Sequence, residues 1–337
     1  MAPIATPINL NSLSEGDRVQ HELRVVSRET RNTRDGKPFV VLTLGNARGE
    51  MKTAPVWSES LSWVDGAERG RIVQVIGDIT RYKGSVTQIT LTAPVRVINM
   101  SLVKLDDFLP SIDERTEVIW GRLDRLRDEI SSRCIRGAVG LFFDDDSFRE
   151  QFERAPGSTR GHHAKVGGLL QHVAEVTRIA CGIAKVMAPS GGQPPNPDLV
   201  IAGAMLHDIG KVEAYSVSAT GFDTTTAGHL IGHIVLGMQM LERRHSALAE
   251  PLCSAEQLME LQHLILSHHG SLEFGSPVRP MTIEAEIVHW ADESSAKASA
   301  FMDSMTDESL FTDGSGISDR IWMLDNRRIW QKSHDWD

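Results

Sequence analysis

The chain has 337 residues and a formal net charge of −10, and 41% of its residues are hydrophobic and 24% charged. This length suffices for two ordinary domains, and the composition excludes a disordered or fibrous protein. The longest apolar run, Leu199 to Leu206, is too short to cross a bilayer, and residues 1–13 lack the features of a secretory signal. We therefore expect a cytoplasmic protein without a membrane partner.

Residues 15–102 predict a small β-barrel, preceded by an N-terminal extension at residues 1–14. Short β-rich runs alternate here with turn residues, and Asp35-Gly36 and Lys83-Gly84 each separate two such runs as in a β-hairpin. About five strands in this length is the size of an OB-fold, which binds single strands by aromatic stacking and basic side chains. The candidates for that contact are Phe39, Trp57, Trp63, Arg81, Tyr82 and Lys83.

Charge is distributed unevenly along the chain. Residues 15–96 contain 13 basic and 10 acidic side chains, whereas the remainder contains 22 basic and 35 acidic ones. The basic surplus favours the barrel as the place where a phosphate backbone binds. For any one candidate taken alone, core packing or a solvated face is the simpler interpretation.

The rest of the chain predicts helices. Residues 103–136 form a helical linker, with helical spacing from Asp113 to Ile135, and residues 137–312 form an all-α domain. Within that domain we predict helices over residues 169–187, 199–206, 230–241, 257–267 and 283–299. Residues 313–337, with Trp322, Trp330 and Trp336, form a tail that packs on another surface, such as a neighbouring subunit. The fold class is thus multi-domain α+β, with an OB-fold barrel before an all-α domain.

The three cysteines, Cys134, Cys181 and Cys253, are odd in number and far apart in the sequence. Such spacing favours neither a disulfide framework nor a zinc knuckle. We predict that all three are buried and reduced.

Twelve of the thirteen histidines lie between His162 and His334. Several of them lie on or at the ends of predicted helices, beside apolar residues, where an unpaired ionisable group is costly. A shared metal removes that cost, and imidazole mixed with carboxylate suits divalent manganese, iron, cobalt or zinc. The set is large enough for two ions and comprises His172, His207, Asp208, His233, His268, His269 and Asp292.

Two ions about 3.5–4 Å apart are a recurrent arrangement for in-line attack on phosphorus. Asp208 has a second oxygen with which to bridge them, and Lys211, one turn later, would neutralise a phosphate oxygen. The alternative for Lys211 is a solvent-exposed lysine at a helix end. A single histidine is better explained as a hydrogen-bonded core residue, but the ordered set favours a metal centre with Asp208 and Lys211 as its catalytic residues.

The order of these residues resembles a known family. His172, His207-Asp208 and Asp292 follow the pattern of the HD superfamily of metal-dependent phosphohydrolases, and His233 and His268-His269 match its two-metal branch. Further motifs resemble the YhaM-type 3′-to-5′ exoribonucleases over about residues 15 to 330. They are Asp-Gly-Lys-Pro-Phe at 35–39, His-His at 162–163, Gly-Gly-Leu-Leu-Gln-His at 167–172, Leu-His-Asp-Ile-Gly-Lys at 206–211, Leu-Ser-His-His-Gly at 266–270 and Leu-Asp-Asn-Arg at 324–327.

The resemblance implies an OB-fold before an HD domain, trimming of single-stranded RNA from its 3′ end, and a homo-oligomer. It also implies two divalent ions per subunit, with Mn²⁺ favoured over Co²⁺, Fe²⁺, Zn²⁺ or Mg²⁺. By matching positions, the ligands would be His172, His207, Asp208, His233, His268 and Asp292, with His269 and His163 as further candidates. The barrel shares little with the family beyond its hairpin motif, which leaves single-stranded DNA open as a substrate.

Three functions remain open on the sequence. An exonuclease that threads RNA over the barrel into the HD site is favoured by the two-domain layout. An HD-type nucleotidase or cyclic-nucleotide phosphodiesterase is favoured by the acidic helical domain, which would repel a long polyanion. A non-enzymatic nucleic-acid-binding protein with a structural metal is least favoured, because the ligand set is complete and includes Lys211.

Overall fold

The structure is a computed structural model that describes residues 8–82, 86–99, 105–161, 163–189, 191–312 and 314–331. The chain divides into two compact units, of which the first contains Met1–Ser111 and Val217–Asp223 and the second contains Ile112–Ser216 and Thr224–Asp337. Within the described ranges, no helix has the length and apolar character needed to span a membrane.

The first unit is a nearly closed antiparallel β-barrel of the OB type. The sheet of the barrel consists of β1 (Arg18–Asn32), β2 (Pro38–Asn46), β3 (Gly49–Lys52), β4 (Ile72–Tyr82), β5 (Val86–Leu91) and β6 (Arg96–Val97). They pair in the order β3-β2-β1-β4-β5, and β6 pairs with β4. A parallel bridge between Thr53 and Ile89 joins the region after β3 to β5, which nearly closes the sheet.

The barrel encloses one apolar core, to which alternate residues of the strands contribute. On β1, Val19, Leu23 and Val25 are fully buried, while Arg18, Gln20 and Glu22 are exposed or half-buried. This alternation is what a two-residue side-chain period requires of a sheet with one buried face. The β-rich runs of the sequence therefore predict the barrel correctly.

The predicted hairpin between β1 and β2 is confirmed, but its loop is longer than the Asp35-Gly36 pair from which it was predicted. The loop spans residues 33–37, because Asn32 pairs with Pro38, and only Gly36 has a positive φ, of 77°. Thr33 closes the loop through backbone hydrogen bonds with Gly36 and Lys37. The β4–β5 hairpin is present as far as the Tyr82–Val86 pair. Lys83 and Gly84 lie outside the described residues.

The second unit is built from helices. Between two of them lies a short hairpin that the sequence did not predict, β7 (Tyr215–Ser218) and β8 (Gly221–Thr224), whose residues Val217–Asp223 belong to the first unit. The helices in its described part are α1 (Thr116–Asp128), α2 (Arg133–Phe143), α3 (Asp146–Arg154), α4 (Gly168–Met187), α5 (Pro197–Leu206), α6 (Lys211–Ala214), α7 (Thr226–Leu230), α8 (His233–Ser246), α9 (Ala255–Ser267) and α10 (Ile283–Thr306).

Two of the predicted helices are interrupted. The stretch from Asp113 to Ile135 is not one helix, because the carboxylate of Asp198 accepts hydrogen bonds from Ser131 and Ser132 at a break between α1 and α2. The predicted helix over residues 230–241 likewise divides into α7 and α8 at Gly232, whose φ is 81°. Neither break can be inferred from helical periodicity, since Asp198 is distant in sequence and glycine is tolerated within helices.

Helix α5 lies at the centre of the unit, in contact with α2, α4, α9 and α10. Every one of its residues from Asp198 to Leu206 is buried, which its almost uninterrupted apolar sequence allows. It begins with Asn196 capping the backbone N–H of Asp198 and with Pro197 in the first turn, and it ends at Leu206 with His207 as its C-cap. The chain thus delivers His207 and Asp208 into the interior of the helical unit.

The C-terminal segment, residues 314–331, packs on the rest of its own chain, as the sequence predicts for a tail that covers another surface. Its contact with a neighbouring subunit stays a prediction. Ile321, Leu324 and Ile329 are buried in a cluster with Ala300 of α10. The indoles of Trp322 and Trp330 remain largely exposed. Trp336 lies outside the described residues.

The prediction of three reduced cysteines is wrong for two of them. Cys134 on α2 and Cys253, just before α9, form a disulfide with a Cα–Cα distance of 5.2 Å, while Cys181 is a buried free thiol. The two partners are 119 residues apart in sequence. Only the packing of α2 near the start of α9 brings them together, so the sequence spacing could not indicate the pair.

The disulfide predicts a measurable contribution to stability. Replacing Cys134 and Cys253 by Ser should lower the free energy of unfolding by about 2–4 kcal/mol, because the long loop is no longer closed in the unfolded chain. Cys181→Ala serves as the matched control and should leave the bond intact. Chemical denaturation and non-reducing peptide mapping provide the measurements, and free thiols at both positions in the oxidised wild type would contradict the pairing.

Candidate metal centre

The helical unit brings the predicted ligands together from five helices. His172 lies on α4, His207 ends α5 and Asp208 follows in the next turn. His233 begins α8, His268 and His269 follow the last residue of α9, and Asp292 lies on α10. Residues that are more than a hundred positions apart in sequence thus meet around one buried point.

The first group of candidate ligands contains His172, His207 and Asp292, whose ligand atoms all lie within 4.8 Å of one another. The Nε2 atoms of the two histidines are 3.3 Å apart, and Nε2 of His172 is 3.0 Å from Oδ1 of Asp292. Oδ2 of Asp208 faces the same group, at 3.4 Å from Nε2 of His172 and 3.3 Å from Nε2 of His207.

The second group contains His233, His268 and His269, whose ligand atoms again lie within 4.8 Å of one another. The other carboxylate oxygen of Asp208, Oδ1, is 3.4 Å from Nε2 of His233 and 3.7 Å from Nε2 of His268. Asp208 therefore presents one oxygen to each group. This is the geometry that a carboxylate bridging two metal ions requires.

Backbone carbonyls orient three of the imidazoles. The Nδ1–H groups of His207, His268 and His269 donate to the carbonyls of Ala204, Ile265 and Phe274, at 2.8, 2.7 and 2.6 Å. A carbonyl oxygen can only accept, so each Nδ1 carries the hydrogen and each Nε2 keeps its lone pair for the site. Such hydrogen bonds are the usual support of metal-binding histidines.

A side-chain relay orients His172. Ser295 Oγ donates to Oε2 of Glu175 at 2.7 Å, so its hydroxyl hydrogen is already used. The same oxygen lies 3.1 Å from Nδ1 of His172 and accepts a hydrogen bond from it. Glu175 and Ser295, which the sequence did not single out, thus hold His172 with Nε2 directed at the centre.

Burial and neighbouring charges set the protonation states. Burial lowers the pKa of His233 to about 3 and that of His268 well below its ordinary value, so both are neutral at neutral pH. Burial alone would raise the pKa of Asp208, but Lys211 and His207 hold it well below its usual range. His172 differs: its pKa rises to about 9 against burial, because Asp208 and Asp292 stabilise its charge.

These residues fit a divalent metal. Among the described residues, the buried Nε2 atoms of His233 and His268 have no hydrogen-bond partner, although both face a carboxylate. Buried polar atoms without partners are costly, and neutral imidazole with carboxylate is a donor set for divalent ions. A cation at each group would satisfy these atoms and replace the proton that His172 carries.

Lys211 is buried at the centre and is not the solvent-exposed lysine of the alternative interpretation. Its Nζ lies 2.6 Å from Oδ2 of Asp208. Burial lowers its pKa, but the charges of Asp208, Tyr215 and Asp292 outweigh burial and raise it above the ordinary value. Lys211 is therefore a positive charge held beside the carboxylate of Asp208.

His163 lies next to the centre without joining either group of ligand atoms found among the described residues. Its backbone is left-handed, with a φ of 55°. Its Nε2 lies 3.2 Å from both Oε2 of Glu175 and Oγ of Ser299. His163 thus belongs to the hydrogen-bond network that supports His172.

The centre opens into a cavity of about 480 Å³, within the usual range for small-molecule sites. Besides the predicted residues, its walls contain Tyr215, Phe274, Glu293 and Trp322. None of these four was predicted from the sequence to belong to the site. Phe274 closely follows the His268-His269 pair, and Trp322 closely precedes the Leu-Asp-Asn-Arg motif. Only this proximity to a family motif could have indicated from the sequence that they belong to the site.

The candidates for nucleic-acid binding lie in the barrel unit. The rings of Phe39 and Trp57 are in contact, with centroids 5.1 Å apart, and Trp57 is about half exposed. Tyr82 is also about half exposed, and Arg81 beside it is exposed. Trp63 is partly buried, and Lys83 lies outside the described residues.

Comparison with known proteins agrees with this geometry. Residues 169–297 match the family model of the HD domain, so the second unit contains an HD domain with a candidate divalent-metal centre. The chain is 32% identical to the 3′-5′ exoribonuclease YhaM of Bacillus subtilis over 94% of this chain and 95% of that one. It is 33% identical to the protein of the same name from Bacillus licheniformis, with the same coverage of both chains. The chain belongs to the YhaM 3′-5′ exoribonuclease family.

A close backbone approach fixes the second group of ligands. A Cβ atom added to Gly210, in the turn after Asp208, would lie 2.0 Å from the carbonyl oxygen of His233 and 2.4 Å from the amide nitrogen of Gly237. Only glycine allows α8 to approach this turn so closely. Gly210 thus determines the position of His233.

We therefore expect Gly210→Ala to displace α8 and to reduce the metal content, with a loss of about 1–3 kcal/mol of stability. Gly182→Ala is the matched control, because a Cβ there meets open space on a helix. Elemental analysis and chemical denaturation of the purified variants are the measurements. Wild-type metal content and stability in Gly210→Ala would contradict the inferred constraint.

Proposed function

We propose that this chain is a metal-dependent 3′-to-5′ exoribonuclease that hydrolyses phosphodiester bonds of single-stranded RNA at a two-ion centre. The observation that carries the proposal is the position of Asp208 between two groups of histidines. It is supported by relatives of nearly the same length whose name is 3′-5′ exoribonuclease.

The ligand assignment follows the distances. His172, His207 and Asp292 would hold one ion, His233, His268 and His269 the other, and Asp208 would bridge them. We favour Mn²⁺, which the resemblance to the exoribonuclease family implies, while a donor set of imidazole and carboxylate without thiolate suits divalent manganese, iron, cobalt or zinc. When bound, such a pair of ions activates water and neutralises charge on the phosphate.

Lys211 would bind a non-bridging phosphate oxygen. Its charge lies beside Asp208 and lines the cavity, and its raised pKa keeps it protonated at neutral pH. A fixed positive charge in a buried site stabilises the additional negative charge of the transition state. Asp292 and Asp208 stay ionised, because neighbouring positive or imidazole groups hold the pKa of both below the usual range.

The barrel would bind the part of the strand that lies upstream of the reacting phosphate. Phe39, Trp57 and Tyr82 supply aromatic faces, and Arg81 supplies positive charge. We include Lys83 among these residues because it directly follows Tyr82 in the sequence. Single-stranded DNA would offer the same bases and phosphates, so the preference for RNA is tested separately.

The match to the exoribonucleases includes the barrel as well as the HD domain, since it covers 94% of the chain. No observation on the structure favours a nucleotidase or a cyclic-nucleotide phosphodiesterase. The homo-oligomer and the cytoplasmic location remain predictions from the sequence.

The activity is tested with 5′-labelled RNA, the matching DNA and a panel of mononucleotides and cyclic nucleotides, with and without Mn²⁺. We expect RNA to be shortened stepwise from its 3′ end only when metal is present. A 2′,3′-blocked end should prevent shortening, because the enzyme would start there. Rapid hydrolysis of a mononucleotide, with RNA left intact, would contradict the proposal.

Two variants separate ligation from charge stabilisation. Asp208→Asn should abolish hydrolysis and lower the bound metal, because a bridging carboxylate is lost. Lys211→Ala should lower turnover by roughly 10²–10³-fold while it retains the metal. His229→Ala, at an exposed position on α7, is the control. Unchanged metal content in Asp208→Asn would remove Asp208 from the ligands.

The barrel is tested with Trp57→Ala and Tyr82→Ala. Each should raise the KM for a long RNA by roughly tenfold, because a stacked base contributes about 1–3 kcal/mol, and neither should change cleavage of a dinucleotide. Trp330→Ala, at an exposed tryptophan of the helical unit, is the control. Wild-type KM values for long RNA in both barrel variants would contradict the role of the barrel.

A further inference from the structure

Trp322 is an exposed aromatic residue at the edge of the metal centre. Its side chain is 69% exposed, although it follows the buried Ile321 and precedes the fully buried Leu324 by two residues. It lines the same cavity as His172 and Asp292. Because this large aromatic ring is exposed in the wall of the cavity, it is available to contact whatever the cavity binds.

The C-terminal segment holds Trp322 at this place. Ile321 and Leu324 pack with Ala300 of α10, the helix that also carries Asp292. Nζ of Lys297, also on α10, lies 2.9 Å from both carboxylate oxygens of Asp325. The residues on either side of Trp322 are therefore attached to the helix that supplies a metal ligand.

The Leu-Asp-Asn-Arg motif forms the turn that completes this attachment. Asp325 and Asn326 both have left-handed backbones, with φ of 57° and 56°. The carbonyl of Asn326 accepts a hydrogen bond from Nη1 of Arg320 at 3.1 Å, and that of Leu324 accepts one from Nε of Arg327 at 3.0 Å. Asp and Asn adopt this conformation more readily than most residues. The motif, which the metal centre does not use, thus serves to position Trp322.

The segment is also packed against the loop before α4. A Cβ atom added to Gly161 would lie 2.2 Å from Sδ of Met323, the residue after Trp322. Nearby in the same loop, Gly157 and Ser158 line the cavity. The C-terminal segment therefore forms part of the cavity wall and is fixed there from two sides.

Phe274 is a second exposed aromatic residue of the cavity wall. Its side chain is 64% exposed, and it ends a short 3-10 helix at Leu272–Phe274. Its backbone carbonyl accepts the hydrogen bond from Nδ1 of His269. The position of its ring is thus tied to that of a candidate metal ligand.

We propose that Trp322 and Phe274 form a stacking site for the nucleobases at the 3′ end of the strand whose phosphate occupies the metal centre. This inference rests on the proposed function. Stacking on aromatic faces tolerates every base, as an enzyme that shortens a strand stepwise requires. Trp322 and Phe274 would be binding residues that place the terminal nucleotide.

The charges around the cavity favour bases over phosphates as the groups that bind to Trp322 and Phe274. In the cavity wall, Lys211 and the candidate ligand Asp292 lie at the metal centre, whereas Glu293 is a carboxylate to which the proposal gives no ion. Outside residues 15–96 the chain also has 35 acidic and only 22 basic residues, so away from Lys211 the surroundings repel the phosphates of an approaching strand. Uncharged base faces can still bind to exposed aromatic rings there.

The experiment uses the metal-loaded full chain and two 5′-labelled RNAs that differ only in their last two nucleotides, which are either intact or abasic. We expect wild type to prefer the intact RNA by roughly ten- to hundredfold in kcat/KM. Trp322→Ala should lose most of this preference through a higher KM for the intact RNA, with unchanged metal content. Trp322→Phe should retain most of it, and Phe274→Ala should lose part of it.

Trp330→Ala is the matched control, because it removes an exposed indole from the same segment outside the cavity wall. It should keep the preference of the wild type. Equal preference in Trp322→Ala and wild type would overturn the stacking site. Dissociation of Trp322→Ala in sedimentation experiments, with base preference intact, would instead assign Trp322 to contact with a second copy. Failure of wild type to shorten either RNA would overturn the proposed function, and the stacking site with it.

Discussion

The helical unit is organised around one buried carboxylate. Asp208 is 1% exposed, and its two oxygens face different groups of histidines while Lys211 lies against one of them. A buried charge is tolerated only with compensating partners, and here those partners come from α4, α6 and α8 and from the residues that follow α5 and α9. The fully buried α5 delivers Asp208 to this point, and Gly210 lets α8 approach it. The need to compensate the buried charge of Asp208 thus determines both how these helices pack and which residues form the site.

Helix α10 connects this centre to the edge of the cavity. Within about two turns it carries Asp292, Ser295 of the relay that orients His172, and Lys297, which binds the turn behind Trp322. The chemistry at phosphorus and the binding of bases would therefore be aligned by one rigid element. Rigid support of this kind is what positions a substrate for in-line attack. Elsewhere in the cavity wall, the backbone carbonyl of Phe274 accepts a hydrogen bond from His269 and so links an exposed ring to a candidate ligand.

The sequence predicted the features that depend on local pattern. The β-rich runs of the barrel and the apolar run of α5 can be recognised from neighbouring residues, and the clustering of the candidate ligands follows from the cost of burying so many ionisable groups. What it missed depends on distant residues. Asp198 interrupts the helix predicted before it, Cys134 pairs with Cys253, and Trp322 reaches the cavity only because the C-terminal segment packs on α10. Such contacts exist only after folding, and no period in the sequence encodes them.

The most direct test of the account is the anomalous diffraction of crystals grown with Mn²⁺. The geometry predicts two peaks about 3.5–4 Å apart, one beside His172, His207 and Asp292 and the other beside the second histidine group. Both peaks should contact Asp208, each through a different carboxylate oxygen. A single peak, or two peaks of which one does not contact Asp208, would contradict the bridging role from which the proposed chemistry follows.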